Sequence, residues 1–393
     1  MADLILATTG DGVAVPAGFA THAGNAGIKD TSPDLSIVVS DVPCAADGVF
    51  TRSLFAGPSV SLCRRHLSSR APRAIVTVSK NANVATGPAG QADADELAHL
   101  VARVIGAGAD EVLVGSTGVI GRRYPMERIR AYLAALPEPT GADFGAVARA
   151  MMTTDTVPKL ASARAGQATV LGVAKGSGMI EPDMATLLAY VFTDAAVPPG
   201  ALAGLWRPVV DETFNSLSID TDTSTSDSAI VLANGQAGPV SAGALGDALH
   251  AVCRSLTLQL AADGEGASKV IQVTVDQAQD RAQARRVAKA IVNSPLVKCA
   301  VHGADPNWGR VVMAIGKCWQ DTAIDPRAVR VSFAGLEVYP GALDDRGLEE
   351  LAKRMGAATV EIGVALGTGA ASATVWGCDL TSEYVHINAD YTT

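Results

Sequence analysis

Apolar positions along this chain switch repeatedly between a period of two and a period near 3.6, which predicts strands alternating with helices. RAIVTVS (residues 73–79) and EVLVG (111–115) are short β-rich runs ending in Ser, Thr, Asn or Gly loops. Between them Leu97, Leu100, Val101 and Val104 recur at helical spacing. Pro125 opens a second helix over 126–136. Residues 167–174 and 186–193 read as buried strands on either side of a Gly- and Pro-containing loop. Leu245, Leu249, Val252, Leu256 and Leu260 form one stripe of a long helix that stops near Gly264 and Gly266. A strand over 269–275, a basic Ala-rich helix over 280–291, and strands at 329–339 and 360–366 around a helix at 348–355 complete the pattern. No Pro/Ser-rich linker, internal repeat or low-complexity tract interrupts it. A boundary near residue 278 is expected, with a large domain over 1–277 and a smaller one over 278–393.

Composition narrows the class. At 393 residues the chain exceeds what one ordinary core fills, so two domains or one large one are expected. With 48% apolar residues, abundant Gly and Ala and few aromatics, the profile is globular and closely packed. A net charge of −9 argues against a nucleic-acid partner, which calls for a basic face. No apolar run reaches the length of about eighteen residues that a membrane helix needs. The N-terminal MADLILATTGDG lacks a basic n-region and a proper h-region, so a cytoplasmic protein is expected. Cys44, Cys63, Cys253, Cys299, Cys318 and Cys378 are scattered without a C-x-x-C pair and read as buried, reduced thiols. The histidines lack ligand spacing, and no metal is expected.

The chemistry concentrates in AKGSGMIEPDMATLLAYVFTDA, residues 174–195. A small residue, Ala185, precedes Thr186 at the opening of an apolar strand. That arrangement suits a self-cleaving nucleophile: the Ala185 carbonyl is open to the Thr186 hydroxyl, and the α-amine freed by cleavage can serve that hydroxyl as base. Taken alone, Ala-Thr before an apolar run also describes an ordinary core strand.

Other segments decide between the two. VFTRSLFAGPSV (49–60), SKNANVATG (79–87), STGVIGR (116–122), MTTDT (152–156), KGSGMIEPDMAT (175–186), SIDTDTSTSD (218–227), DGEGA (263–267), NSPLVKCAVHGADPNWGR (293–310) and INADYTT (387–393) stand in order along the chain. Through these segments the sequence closely resembles the ornithine acetyltransferase (glutamate N-acetyltransferase) family of self-processing N-terminal-Thr nucleophile enzymes. Leu187, where the family usually has Met, is a volume-conserving departure.

The resemblance implies an α+β fold with a layered αββα-type core like that of the N-terminal-nucleophile enzymes, beside a smaller α/β domain. It implies cleavage at Ala185-Thr186 into fragments 1–185 and 186–393, and acetyl transfer from N-acetylornithine to glutamate through acetyl-Thr186. Thr117 and Gly118 match the family's oxyanion hole, although Ser-Thr-Gly after VLVG is also ordinary turn chemistry. Thr153, Lys175, Thr186, Glu265, Asn388 and Thr393 match its substrate-contacting positions. By default Lys175 would be a solvated loop lysine, Glu265 a solvated helix-end acid and the tail a frayed end. The match instead implies a tail that returns to the active site. No cofactor is implied, and acetyl-CoA stays open as an alternative donor. The two fragments are expected to remain associated in a higher assembly such as α2β2 or α4β4, with no nucleic-acid or membrane partner.

The remaining motifs read as structural. SIDTDTSTSD lacks the Gly and Glu of a calcium loop and suits a hydrogen-bonded turn supporting the site. DPNWGR reads as a turn entering a helix, with Arg310 near an acid, and His302 as a structural hydrogen-bonding residue. Two competing functions remain at this level: a related N-terminal-nucleophile amidohydrolase or aminopeptidase, and a non-catalytic paralogue. The motifs also serve a housekeeping enzyme of arginine biosynthesis and a secondary-metabolite paralogue alike.

Overall fold

The computed structural model describes residues 4–5, 12–181, 187–198, 200–341 and 343–390. They fall into two compact units. One comprises the chain through Asn215 with Asp222–Leu256; the other comprises Ser216–Thr221 and the chain from Thr257 onward.

The first unit contains β1 (Leu4–Ile5), β2 (Phe19–Gly24), β3 (Leu35–Ser40), β4 (Ala45–Phe50), α1 (Pro58–Ser69), β5 (Ala74–Val78), α2 (Gly87–Val104) and β6 (Val112–Ser116). It continues through α3 (Met126–Ala134), α4 (Phe144–Met151), β7 (Lys159–Ala165), β8 (Ala168–Lys175), β9 (Leu188–Ala196), α5 (Ala201–Glu212) and β10 (Ser228–Pro239). Helix α6 (Ala242–Ala262) then crosses from the first unit into the second. The strands form a six-stranded sheet, β1-β7-β8-β9-β10-β4, and a four-stranded sheet, β2-β3-β5-β6.

The two sheets share one apolar core, and the Thr77 hydroxyl of β5 meets that of Tyr190 in β9 at 3.4 Å. Strand periodicity explains the sidedness. Leu171 and Val173 of β8 enter the core, while Gly172 between them faces α6. A Cβ at Gly172 would come within 2.7 Å of both Val252 and Leu256, so α6 lies directly on that face of β8. The helical stripe from Leu245 to Leu260 is buried throughout. Strand β6 is an edge, and α1 covers it: His66 Nδ1 lies 2.8 Å from the Val112 carbonyl, and the Val114 N–H donates to the Cys63 thiol.

The second unit contains β11 (Val270–Ala278), α7 (Arg281–Val292), α8 (Pro295–His302), α9 (Trp308–Gly316), β12 (Arg330–Phe333), β13 (Leu336–Tyr339), α10 (Asp345–Arg354), β14 (Thr359–Ala365), β15 (Ala371–Cys378) and α11 (Ser382–Asp390). Its five-stranded sheet runs β13-β12-β14-β11-β15, with β11 parallel to β14 and antiparallel to β15. Helices α7 to α10 supply side chains to its core. Because β11 pairs only within this sheet, the second unit begins before residue 278, the boundary expected from sequence.

The α+β class holds, and each element named from periodicity has a counterpart. Two details differ. The single strand expected over 329–339 is a hairpin, β12 and β13, turned at Ala334 and Gly335. The cysteines are not uniformly buried: Cys299 is exposed and Cys318 half-buried, while the other four are buried. No described helix is long and apolar enough to cross a membrane.

Candidate active site

The end of β8 gathers the polar groups. Lys175 is 3% exposed, and such a cation needs partners to survive burial. Its Nζ donates to Thr153 Oγ1 at 2.8 Å and to Thr117 Oγ1 at 3.3 Å, and lies 3.8 Å from Asp155. Asp155 is the hub beneath it. One oxygen accepts from Lys159 Nζ at 2.7 Å and from the Gly176 N–H at 2.6 Å; the other accepts from the Thr153 N–H at 3.0 Å. Burial alone would raise the Asp155 carboxyl, but the ammonium groups of Lys175 and Lys159 outweigh it and hold it well below the usual carboxylate range.

Lys29 reinforces the same corner. Its Nζ donates to the carbonyls of Met152 (2.8 Å) and Pro33 (3.0 Å), fixing the backbone that leads into Thr153. Burial lowers its pKa to about 8, with Asp34 acting in the opposite sense.

Thr117 and Gly118 continue directly from β6. The N–H groups of Thr117 and Val119 donate to the Val78 and Lys80 carbonyls, whereas that of Gly118 makes no hydrogen bond among the described residues. Gly118 has a φ of +120°, and a Cβ there would lie 2.3 Å from the Lys80 carbonyl carbon. Only glycine fits. The loop is pinned further by Asn81 Nδ2 donating to the Arg123 carbonyl, and by Arg123 bonding Asp93 through two nitrogens at 2.7 and 2.6 Å. Because Thr117 Oγ1 accepts from Lys175, its own hydrogen remains to donate elsewhere. Two donors, the Thr117 hydroxyl and the Gly118 N–H, therefore sit on adjacent residues next to a buried cation.

Strand register places Lys175 beside the first residue of β9. Leu188 pairs with Lys175 on one side and with Ser228 on the other. Thr186, two residues upstream, and Ala185 lie outside the described residues, as does Thr393.

In the second unit Asn388 Nδ2 donates to Glu265 at 2.8 Å, and the Thr381 hydroxyl donates to the Gly266 carbonyl at 2.7 Å. The last described turn of the chain, in α11, is thus tied to the Gly264–Gly266 bend rather than frayed. Arg310 donates to the Leu296 carbonyl, with Asp305 at 4.0 Å. Among the described residues no group of His, Cys, Asp or Glu is placed to hold a metal.

Sequence reasoning brought Thr117, Gly118, Thr153 and Lys175 forward, and the fold collects all four. It passed over Asp155 and Lys159, although Asp155 lies inside the MTTDT segment. An acid two residues from a polar candidate, followed four residues later by a lysine in an apolar strand, was the available signal.

Over residues 20–393 the chain matches the ArgJ family. It is 55% identical over 379 residues to the arginine biosynthesis bifunctional protein ArgJ 2 of Nostoc sp., covering 96% of this chain and 98% of that one. It is 50% identical over 385 residues to the glutamate N-acetyltransferase Oat2 of Streptomyces clavuligerus, again covering 96% and 98%. A solved structure of an ornithine acetyltransferase complexed with ornithine, from Mycobacterium tuberculosis, is 38% identical; it covers 46% of this chain and 98% of that one, with a TM-score of 0.43. With a match of this extent, the chain belongs to the ArgJ family.

Proposed function

We propose that this protein moves acetyl from the α-nitrogen of N-acetylornithine to that of glutamate, in arginine biosynthesis, after cleaving itself between Ala185 and Thr186. The observation that carries the site assignment is the Lys175 ammonium shared by the Thr117 and Thr153 hydroxyls, beside a Gly118 N–H that makes no hydrogen bond among the described residues. An amide is a poor acyl donor, so the site must activate a nucleophile, stabilise an oxyanion and protonate a leaving amine.

Each task has a candidate. The Thr186 hydroxyl attacks the acetyl carbon and its own α-amine, titrating near neutrality, takes the hydroxyl proton. The tetrahedral oxyanion is met by the Thr117 O–H and Gly118 N–H. The amine then returns its proton to the ornithine nitrogen, leaving acetyl-Thr186. Glutamate reverses the sequence, its α-amine attacking the ester. Lys175 and Thr153 are the anchors for the α-carboxylate that both amino acids share, and Glu265 and Asn388 are assigned to substrate contact from their family match. The fragments remain associated, as α2β2 or α4β4.

The test is a donor and acceptor panel with purified protein, with acetyl-CoA as a further donor. The wild type should run as fragments of 185 and 208 residues (393 − 185) and show ping-pong kinetics with N-acetylornithine and glutamate. Thr186→Ala should stay a single chain without transfer activity. A fully active wild type that runs only as the intact chain would end this mechanism.

A further inference from the structure

Asp227 closes the SIDTDTSTSD segment, and its carboxyl is wholly enclosed, with the residue 1% exposed. Oδ1 accepts from the Leu187 N–H at 2.6 Å. Oδ2 is buried and meets no hydrogen-bond partner among the described residues. The backbone around it is firmly fixed: the Thr51 N–H donates to the Asp227 carbonyl, the Thr51 hydroxyl donates to the Ser224 carbonyl, and the Gly57 N–H donates to that of Thr225. Such a scaffold for one carboxyl oxygen with no partner is costly unless the group is used.

Covalent geometry bounds how far the nitrogen before Leu187 can lie. Leu187 N is joined to the Thr186 α-nitrogen by three bonds, so the two nitrogens lie no more than about 4.3 Å apart whatever the conformation. Asp227 thus holds the N–H of the residue that follows Thr186 in sequence, one residue from the link that the proposed self-cleavage breaks. An ionised Asp227 would be a buried charge without a contacting cation among the described residues, a state that folded proteins avoid by keeping the proton. Burial pushes this carboxyl well above the usual range, with the Leu187 N–H and the more distant Lys175 only partly opposing it. Burial therefore favours the proton on this carboxyl, whose Oδ2 has no described partner.

We propose that Asp227 is the proton-carrying group of the self-cleavage step. This rests on the reading of Thr186 given above. In the uncut chain the Thr186 nitrogen is an amide and cannot act as base, so the α-amine mechanism of acetyl transfer is not yet in place. Cleavage forms a bond from Thr186 Oγ to the Ala185 carbonyl carbon and breaks the bond from that carbon to the Thr186 nitrogen. The departing nitrogen gains a proton from Asp227 Oδ2, and the carboxylate so formed takes the proton lost by the Thr186 hydroxyl. Water then hydrolyses the ester, leaving an Ala185 carboxylate and the free Thr186 hydroxyl. Asp227 ends as it began, neutral, and acts before the enzyme meets any substrate.

The test follows the precursor in cell-free translation, diluted into buffers from acid to alkaline pH and resolved on a denaturing gel. Asp227→Asn keeps the acceptor for the Leu187 N–H but exchanges no proton, so a purely positioning role would survive it. The expected result is a folded Asn variant, with wild-type melting and gel-filtration behaviour, whose cleavage is slower by about 10²- to 10⁴-fold, the usual worth of acid–base assistance. Wild-type cleavage should fall as pH rises and the acid loses its proton, the direction that its burial sets. Equal rates in wild type and Asp227→Asn overturn the assignment. If the Asn variant does not fold, the wild-type profile decides, and a rate that climbs steadily with pH overturns it. A wild-type chain that stays intact beside its Thr186→Ala control removes the cleavage reading itself; cleavage untouched by Asp227→Asn removes only the role of Asp227.

Discussion

Two acid–base clusters use similar residues to different ends. In the first unit Asp155 is shared by Lys159 and Lys175, all three buried. In the second, Asp379 accepts from the N–H groups of Ser268 and Lys269 and from the Ser268 hydroxyl, with His302 Nδ1 at 2.9 Å. A serine, a histidine and an aspartate in contact invite a hydrolytic reading. The geometry refuses it, because the serine and the aspartate both meet the same ring nitrogen, leaving no relay across the imidazole. His302 is also 48% exposed, and Asp379 serves mainly to hold the backbone entering β11. Burial of the cation separates the clusters: an enclosed ammonium must be aimed, whereas a half-solvated imidazole can leave without consequence.

The sharpest way to break this contrast is Asp155→Asn. It would remove the carboxylate that Lys159 and Lys175 share, and breaking such a buried pairing typically costs about 3–5 kcal/mol. Thermal or urea unfolding should show that loss, together with loss of transfer. A melting temperature unchanged from wild type would mean that the cluster is not the hub described here.

Thr117→Ala should act on chemistry rather than on folding. Removing one donor to the oxyanion typically lowers turnover by about 10²- to 10³-fold. Ground-state binding should change little, since the bond forms fully only with the charged intermediate. An effect confined to KM would reassign Thr117 to substrate binding.

The smallest effects belong to the second cluster. His302→Gln should shift stability by no more than about 1 kcal/mol, in keeping with a half-exposed pair, and leave transfer unchanged. The two acids should nevertheless share the sign of their pH response. Burial raises the Asp379 carboxyl, but the Ser268 hydroxyl and the N–H groups of Lys269 and Ser268 bring it below its ordinary value. A depressed native pKa gives stability that is present above the unfolded value and lost as pH falls through the folded one. Unfolding measured from pH 6 downward should therefore weaken below about pH 4 in wild type. Much of that dependence should vanish in Asp155→Asn and little of it in His302→Gln.

How much of this was legible in the sequence depended on how local the cause was. The α6 stripe and the β5, β6 and β11 runs carry their period in a few consecutive residues, so they were readable. Strand β4, AADGVF, is only partly buried along most of its length and pairs at the sheet edge with β10, which left no alternating pattern to find. Thr117, Gly118, Thr153 and Lys175 were found through motifs. The reason they belong together is tertiary: Asp155 reaches Lys159 by a local step but reaches Gly176 across 21 positions. Asp227 was hidden for the same cause. Its meaning comes from the Leu187 N–H, 40 residues away.

Gly118 carries a consequence for how this catalyst tolerates change. The N–H assigned to the oxyanion is located by two lengths of main chain in direct contact, with no side chain acting as a spacer. Its placement is therefore insulated from the rotamer changes and volume swaps by which sequences drift. The corner has the character of a machined reference surface: neighbouring loops can be recut for a different amine while the donor stays where it is.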